Sequence, residues 1–197
     1  LGGQRIINYG SCLVPDEYYR SSCRDTFRED KRLVFSLSEI YRRNNIALDM
    51  VEIYFRKTLT RLGNEKSNNL VSHIQKLLGK AAEHASAKAS KLALSFTIAN
   101  LVLGSADFKK NHIKLVNSFS TWFVNATTLY AKAQVAASAA NRLKFQDSSY
   151  YQALCKENLE MLYFLIEPQM SEIIYQVDSG DNNEEKIAGA LYEILRK

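Results

Sequence analysis

The side chains best able to bind a metal or act as a nucleophile are few and widely spaced in this sequence. Its three histidines are His73, His84 and His112. On one helix His73 and His84 would lie about 16 Å apart, which is too far to share a metal ion. No His-x-x-x-His, Cys-x-x-Cys or glycine-rich phosphate loop occurs. The sequence therefore predicts a chain that is not an enzyme and takes no metal or cofactor, although a cysteine–histidine pair assembled across the fold stays open.

The cysteines offer one candidate cross-link. Cys12 and Cys23 are close enough in the chain for a short-loop disulfide, which would stabilise the fold by about 3 kcal/mol through loop-closure entropy. Cys155 falls on a predicted apolar helix face, where a buried free thiol is common. Three cysteines in a chain of 197 residues do not form a disulfide framework.

A basic cluster near the middle of the chain could contact a phosphate or an acidic protein surface. It lies in the segment 107–114, and two further lysines precede it. The candidate contacts for a protein or anion partner are Lys88, Lys91, Lys109, Lys110, His112 and Lys114. The alternative is a solvated turn in which Asp107 caps the following helix.

Two apolar stripes that mirror each other about residue 109 predict the element that carries this cluster. The first stripe is Ile74, Leu78, Ala81, Ala85, Ala89, Leu92, Phe96, Ala99 and Leu103. The second is Leu115, Phe119, Trp122, Ala126, Leu129, Ala133, Ala136, Ala140 and Leu143. Both advance in steps of three and four residues, as one helix face does against a partner. Folding the chain back at the tip pairs 96 with 122, 89 with 129 and 74 with 143, which predicts a long antiparallel helical hairpin.

The sequence as a whole predicts a single all-α domain, a helical bundle organised around this hairpin. Prolines number only 2 and glycines 8, and no repeat or low-complexity linker interrupts the chain. Helix starts are predicted at Pro15, at a capping box opening with Thr26 and at another opening with Ser149. Gly63 should end a helix, and Pro168 should kink or break one. The predicted parts are an irregular lead-in over 1–14, N-terminal helices over 15–63, hairpin arms over about 67–103 and 112–143, and acidic C-terminal helices over 147–197.

Charge is strongly segregated along the chain. The net charge is +3 over residues 1–66, +8 over 67–144 and −6 over 145–197, for a total of +5. The acidic C-terminal third should therefore either pack against the basic hairpin or leave it free for an anionic partner.

Three functions follow from these patterns. The runs 92–106 and 115–131 contain no charged residue, and a helix that is apolar all round lies in a protein core or in a membrane. The leading hypothesis is a non-enzymatic interaction module that binds a protein through its helical surface. The alternative is a membrane-active domain, similar in architecture to toxin domains that insert an apolar hairpin. The second alternative is anion or nucleic-acid binding by the lysine-rich hairpin.

The sequence leaves the compartment open. It contains no run of 18 apolar residues, starts with Leu rather than Met, and shows no basic-then-apolar leader. We expect a soluble chain that is either a processed, secreted form or a domain excised from a longer protein.

Overall fold

The computed structural model describes residues 17–77, 90–106, 108–110 and 126–196, with side chains from residue 28 onward and, in the fifth helix, from residue 133 onward. Every regular element in these ranges is a helix, which confirms the all-α prediction. The elements are α1 (Glu17–Arg42), α2 (Ile46–Leu62), α3 (Asn64–Leu77), α4 (Lys91–Gly104), α5 (Ala126–Gln146), α6 (Ser148–Lys156), a 3₁₀ helix (Glu160–Leu165), α7 (Glu167–Ser179) and α8 (Glu184–Arg196).

Helix α2 occupies the centre of the described core and packs against α3, α4 and α6. Its Tyr54 meets Tyr150 of α6 edge to face, with ring centroids 5.2 Å apart. The hydroxyl of Tyr150 donates to the carbonyl of Met50 at 2.8 Å. All six residues of the 3₁₀ helix are buried beside this aromatic group. The core therefore joins the second helix of the chain to its C-terminal third.

Local sequence signals set both ends of α2. Asn45 accepts a hydrogen bond from the backbone N–H of Leu48 and caps α2. Gly63 ends α2 with a φ of 86°, a left-handed conformation that glycine adopts without steric cost. Helix α8 buries Ile187 and Leu191, as its apolar spacing predicts.

Two predicted helix starts are wrong. Helix α1 runs without interruption through Thr26, so the capping-box pattern does not open a new helix there. Asp147, rather than Ser149, caps α6 by accepting from the backbone N–H of Tyr150. The break predicted at Pro168 is confirmed: the 3₁₀ helix ends at Leu165 and Pro168 lies in the first turn of α7, where a residue without a backbone N–H breaks no helical hydrogen bond.

The long hairpin is not confirmed. The first arm is described as two helices, because α3 ends at Leu77 and Ser90 caps α4; residues 78–89 and 111–125 lie outside the described part. Helix α4 packs mainly on α2 and α3 packs mainly on α8. Helix α5, which holds the described part of the second arm, packs mainly on the 3₁₀ helix and α6. The contacts of the described helices thus leave the pairing of the two arms unconfirmed.

The predicted seam and tip also differ in detail. Leu92 and Phe96 are 56% and 50% exposed, so their prediction as seam residues is wrong. At the tip, Ser105 accepts a hydrogen bond from the backbone N–H of Phe108, and Phe108 is buried. The segment 108–110 is helical. The tip residues 108–110 thus form a capped turn of helix anchored in the core.

Candidate protein-binding face

Helix α1 docks on the remainder of the fold through a polar stripe. Arg32, Ser36, Glu39 and Arg43 recur every three or four residues and face inward; we call them the inner stripe. Between residues 28 and 42 the only fully buried apolar side chain is Leu33. Leu37 and Ile40 pack partly against the core. Apolar burial along this part of α1 is therefore small.

Ion pairs supply the specific contacts of the inner stripe. Arg32 Nε donates to Glu160 Oε1 at 2.9 Å. Arg43 donates to Glu39, Asp49 and Glu157 at 3.0, 3.1 and 2.8 Å. These bonds tie α1 to the 3₁₀ helix, to α2 and to the end of α6.

The inner stripe determines the charge state of its buried carboxyl group. Glu39 is 5% exposed. Hydrogen bonds from Arg43, with the nearby charge of Arg42, hold the pKa of Glu39 below its ordinary value, against the opposing effect of burial. Ser36 Oγ and Glu160 Oε2 are buried and have no hydrogen-bond partner in the described part of the structure. The buried carboxyl group of Glu39 is thus paired with cations, whereas these two buried oxygen atoms at the docked side of α1 lack hydrogen bonds within the described residues.

The opposite side of α1 is exposed and carries large apolar groups. Tyr41 is 84% exposed, Val34 60% and Phe35 49%. At about 100° per residue, all exposed residues between 28 and 42 fall within about 140° of the helix circumference. We call this set the outer face of α1: Arg28, Lys31, Val34, Phe35, Ser38, Tyr41 and Arg42.

Basic side chains flank the apolar part of the outer face, which contains no acidic residue. The ammonium group of Lys31 lies 5.7 Å from the ring centroid of Phe35, within the range of a cation–π contact. Arg42 pairs with Glu39 at 3.0 Å, yet 73% of its side chain stays exposed. The outer face therefore presents aromatic surface with positive charge beside it.

The predicted lysine contacts stay a prediction. Lys109 and Lys110 are exposed, and Lys91 is partly exposed at the start of α4. Lys88, His112 and Lys114 lie outside the described residues.

The acidic C-terminal third pairs mainly with the N-terminal helices. Its contacts to α1 are those of Glu157 and Glu160, given above. Arg61 and Lys66, further along the N-terminal part, meet Asp178 at 3.2 Å and Glu184 at 3.9 Å. Two contacts of this kind come from the described part of the predicted hairpin: Arg142 meets Glu167 at 2.6 Å, and His73 Nε2 lies 3.9 Å from Glu185 Oε1. Charge segregation along the sequence thus reflects packing between the two ends of the described chain.

The cysteine chemistry is limited in the described region. Cys12 lies outside it and the side chain of Cys23 is not described, so the predicted disulfide stays a prediction. Cys155 is a partly buried free thiol. Burial raises its pKa, against a hydrogen bond with Tyr151 that lowers it. The thiol is therefore protonated near neutral pH and is a weak nucleophile.

Among the described residues, no group of three or more His, Cys, Asp or Glu side chains is placed to hold a metal ion. No helix in the described ranges is long and apolar enough to cross a membrane. Comparison of the chain with protein-family models, with curated proteins and with solved structures found no match.

The sequence reasoning missed the outer face of α1, although a signal was present. Residues 33–35, 37, 40 and 41 are apolar or aromatic and extend over more of the helix circumference than one buried stripe needs. A helix with so broad an apolar surface either is buried on several sides or leaves part of that surface exposed. The sequence alone could not show which residues stay exposed, because α1 buries a stripe that is itself polar.

Proposed function

We propose that this chain is a non-enzymatic interaction module that binds a protein partner through the outer face of α1. The observation that carries the proposal is the exposure of Val34, Phe35 and Tyr41 on one side of a helix whose other side is docked. Clustered exposed apolar side chains of this size are typical of interaction surfaces. Tyrosine and arginine are also the residue types that contribute most to binding at protein interfaces.

The way α1 is held supports this role. Ion pairs at both Arg32 and Arg43 fix the helix against the body. A helix held in place before binding loses little conformational entropy when the partner arrives. The outer face can therefore act as a preformed surface.

Site-specific photo-cross-linking tests the proposal. A photoreactive phenylalanine analogue is placed at Tyr41, and in a matched control at Tyr175, which is 70% exposed on α7. We expect a defined protein to cross-link from position 41 and not from position 175. The captured protein is then identified by mass spectrometry, purified and titrated with the wild-type chain and with Tyr41→Ala.

The other two hypotheses predict different results in the same experiment. Membrane activity predicts lipid cross-links and leakage from liposomes, and nucleic-acid binding predicts nucleic-acid cross-links that disappear with salt. Either pattern, or equal cross-linking from positions 41 and 175, would overturn the protein-binding proposal.

A further inference from the structure

Resting on the proposed function, we infer that the partner of the outer face of α1 is an amphipathic helix with an apolar stripe flanked by carboxylates. The shape of the outer face and the charges on it indicate this chemistry of the partner.

The outer face has the shape of a helix-binding strip. Between residues 28 and 42 it extends for about 20 Å along α1 at the helical rise. Val34, Ser38 and Tyr41 recur every three or four residues and leave the small Ser38 between two larger side chains. Such a row of side chains, with a low point in its middle, accepts the ridge of a second helix packed alongside.

The exposed charge on this strip itself is of one sign. Arg28, Lys31 and Arg42 lie on the outer face, and none of its exposed residues is acidic. Of these three, Arg42 already meets Glu39 at 3.0 Å. Arg28 and Lys31, at the N-terminal end of the strip, are thus placed for carboxylates from another molecule.

A second copy of this chain does not fit the same surface. If two outer faces met in an antiparallel arrangement, Arg28 of one copy would approach Arg42 of the other. In a parallel arrangement each cation would approach its own equivalent. Both arrangements bring like charges together, which disfavours association.

A flat anionic membrane also fits poorly. Only Val34 and Phe35 on the outer face are wholly apolar, whereas interfacial helices bury a broad apolar face. Close to the C-terminal end of α1, the side chains of Asp49 and Glu157 are 37% and 46% exposed. A flat anionic lipid surface would bring negative charge close to both of them, whereas a partner helix can place its carboxylates beside Arg28 and Lys31, at the other end of the strip.

The test is a selection from a library of helical peptides with a fixed leucine stripe and with Glu, Lys, Gln or Ser at the flanking positions. The chain is used in full, as wild type and as the double variant Arg28→Glu/Lys31→Glu. We expect the wild type to enrich Glu at the flanks and the double variant to enrich Lys. A selected acidic peptide should bind the double variant about tenfold more weakly than the wild type, from the reversal of two exposed charge contacts.

Two controls separate folding from binding. Phe35→Ala should abolish the selection, whereas Tyr175→Ala should leave it unchanged, with circular dichroism showing the same helix content for both. Enrichment of the same flanking residues by the wild type and the double variant, or no enrichment at all, would overturn the inference. Binding to phosphatidylserine vesicles that is lost in Phe35→Ala would assign the face to a membrane instead.

The inference and the proposed function can fail separately. If cross-linking from position 41 captures a protein that lacks an acidic helix, the proposed function stands and the acidic-helix inference fails. If position 41 captures no protein while the library still enriches Glu, the surface chemistry stands and the proposed function fails.

Discussion

Arg32 and Glu160 lie 128 residues apart in the chain, and the Nε of Arg32 donates to Oε1 of Glu160 at 2.9 Å. Arg32 also donates to the hydroxyl of Tyr151 at 3.1 Å. Glu160 is 5% exposed, and its second carboxylate oxygen has no hydrogen-bond partner in the described region. This pair therefore fixes the position of α1, while its net contribution to stability is limited by the buried oxygen.

Arg32→Met should destabilise the fold, because it leaves the Glu160 carboxylate buried without its cation. We expect a loss of about 1–3 kcal/mol in the free energy of unfolding, less than for a fully buried pair because Arg32 is partly exposed. The double variant Arg32→Met/Glu160→Leu should recover most of that loss, since both charges are removed. Urea unfolding of the three proteins measures this. A double variant as unstable as Arg32→Met would contradict the assignment.

Tyr41→Ala and Tyr175→Ala form a matched pair for binding. Both tyrosines are largely exposed, so each substitution should change the free energy of unfolding by less than about 0.5 kcal/mol. Only Tyr41→Ala should weaken binding to the cross-linked partner, by about tenfold or more, as expected for an aromatic anchor at a protein interface. Calorimetric titration of both variants decides this, and an equal effect at both positions would count against the outer face.

Gly180→Ala should be destabilising, whereas Gly189→Ala should not. A Cβ atom at Gly180 would lie 2.6 Å from Ile187 Cγ1 and 3.2 Å from the carbonyl of Val177. Relieving that contact should cost about 1–3 kcal/mol. At Gly189, inside α8, a Cβ meets nothing within 4 Å, so alanine should stabilise the helix by about 0.5–1 kcal/mol. Thermal unfolding should show opposite shifts in Tm.

Acid should weaken the fold through at least two carboxyl groups. Burial alone would raise the pKa of Asp147, but Lys57, the N–H of Tyr150 and Ser149 together lower it; the pKa of Glu39 is lowered as well. A carboxyl group whose pKa is lower in the folded state than in the unfolded state stabilises the fold at pH values above its unfolded pKa. That stabilisation is lost as the pH falls through the folded-state pKa. The urea midpoint should therefore fall once pH drops below about 4, where free carboxyl groups begin to protonate.

Asp147→Asn is the control for the acid effect. The variant should be less stable than the wild type at pH 7, since the charged contact with Lys57 is lost, and its midpoint should decline less steeply in acid. Parallel pH profiles for the two proteins would show that Asp147 carries no part of the effect.

How far the fold could be predicted is clear from particular residues. Gly63 was predicted correctly because a left-handed glycine acts through the backbone nearby. The hairpin stays unconfirmed, because a spacing of three and four residues identifies a buried face without identifying its partner. The face of Leu94, Ile98 and Val102 has that spacing and is buried, but α4 packs mainly on α2. Ser95 of α4 also donates to Glu52 of α2 at 2.6 Å.

The candidate site was harder to predict for a related reason. Sequence patterns reveal apolar faces that become buried, and they reveal clusters of charge. The outer face of α1 is an apolar group left exposed because Arg32, Glu39 and Arg43 occupy the docked side. These polar residues can occupy the docked side because Glu157 and Glu160, which are distant in sequence, pair with Arg43 and Arg32.

The separation between Arg32 and Glu160 also sets a delay during synthesis. At about 5–20 residues per second, the ribosome would add the 128 residues between them in about 6–25 s. Over that interval α1 has emerged without its docking partners and must rely on local contacts. Glu39 supplies two of these, to Arg42 and Arg43, at spacings of three and four residues. These pairs favour the nascent helix, by about 0.2–0.5 kcal/mol each, until the C-terminal third has been made.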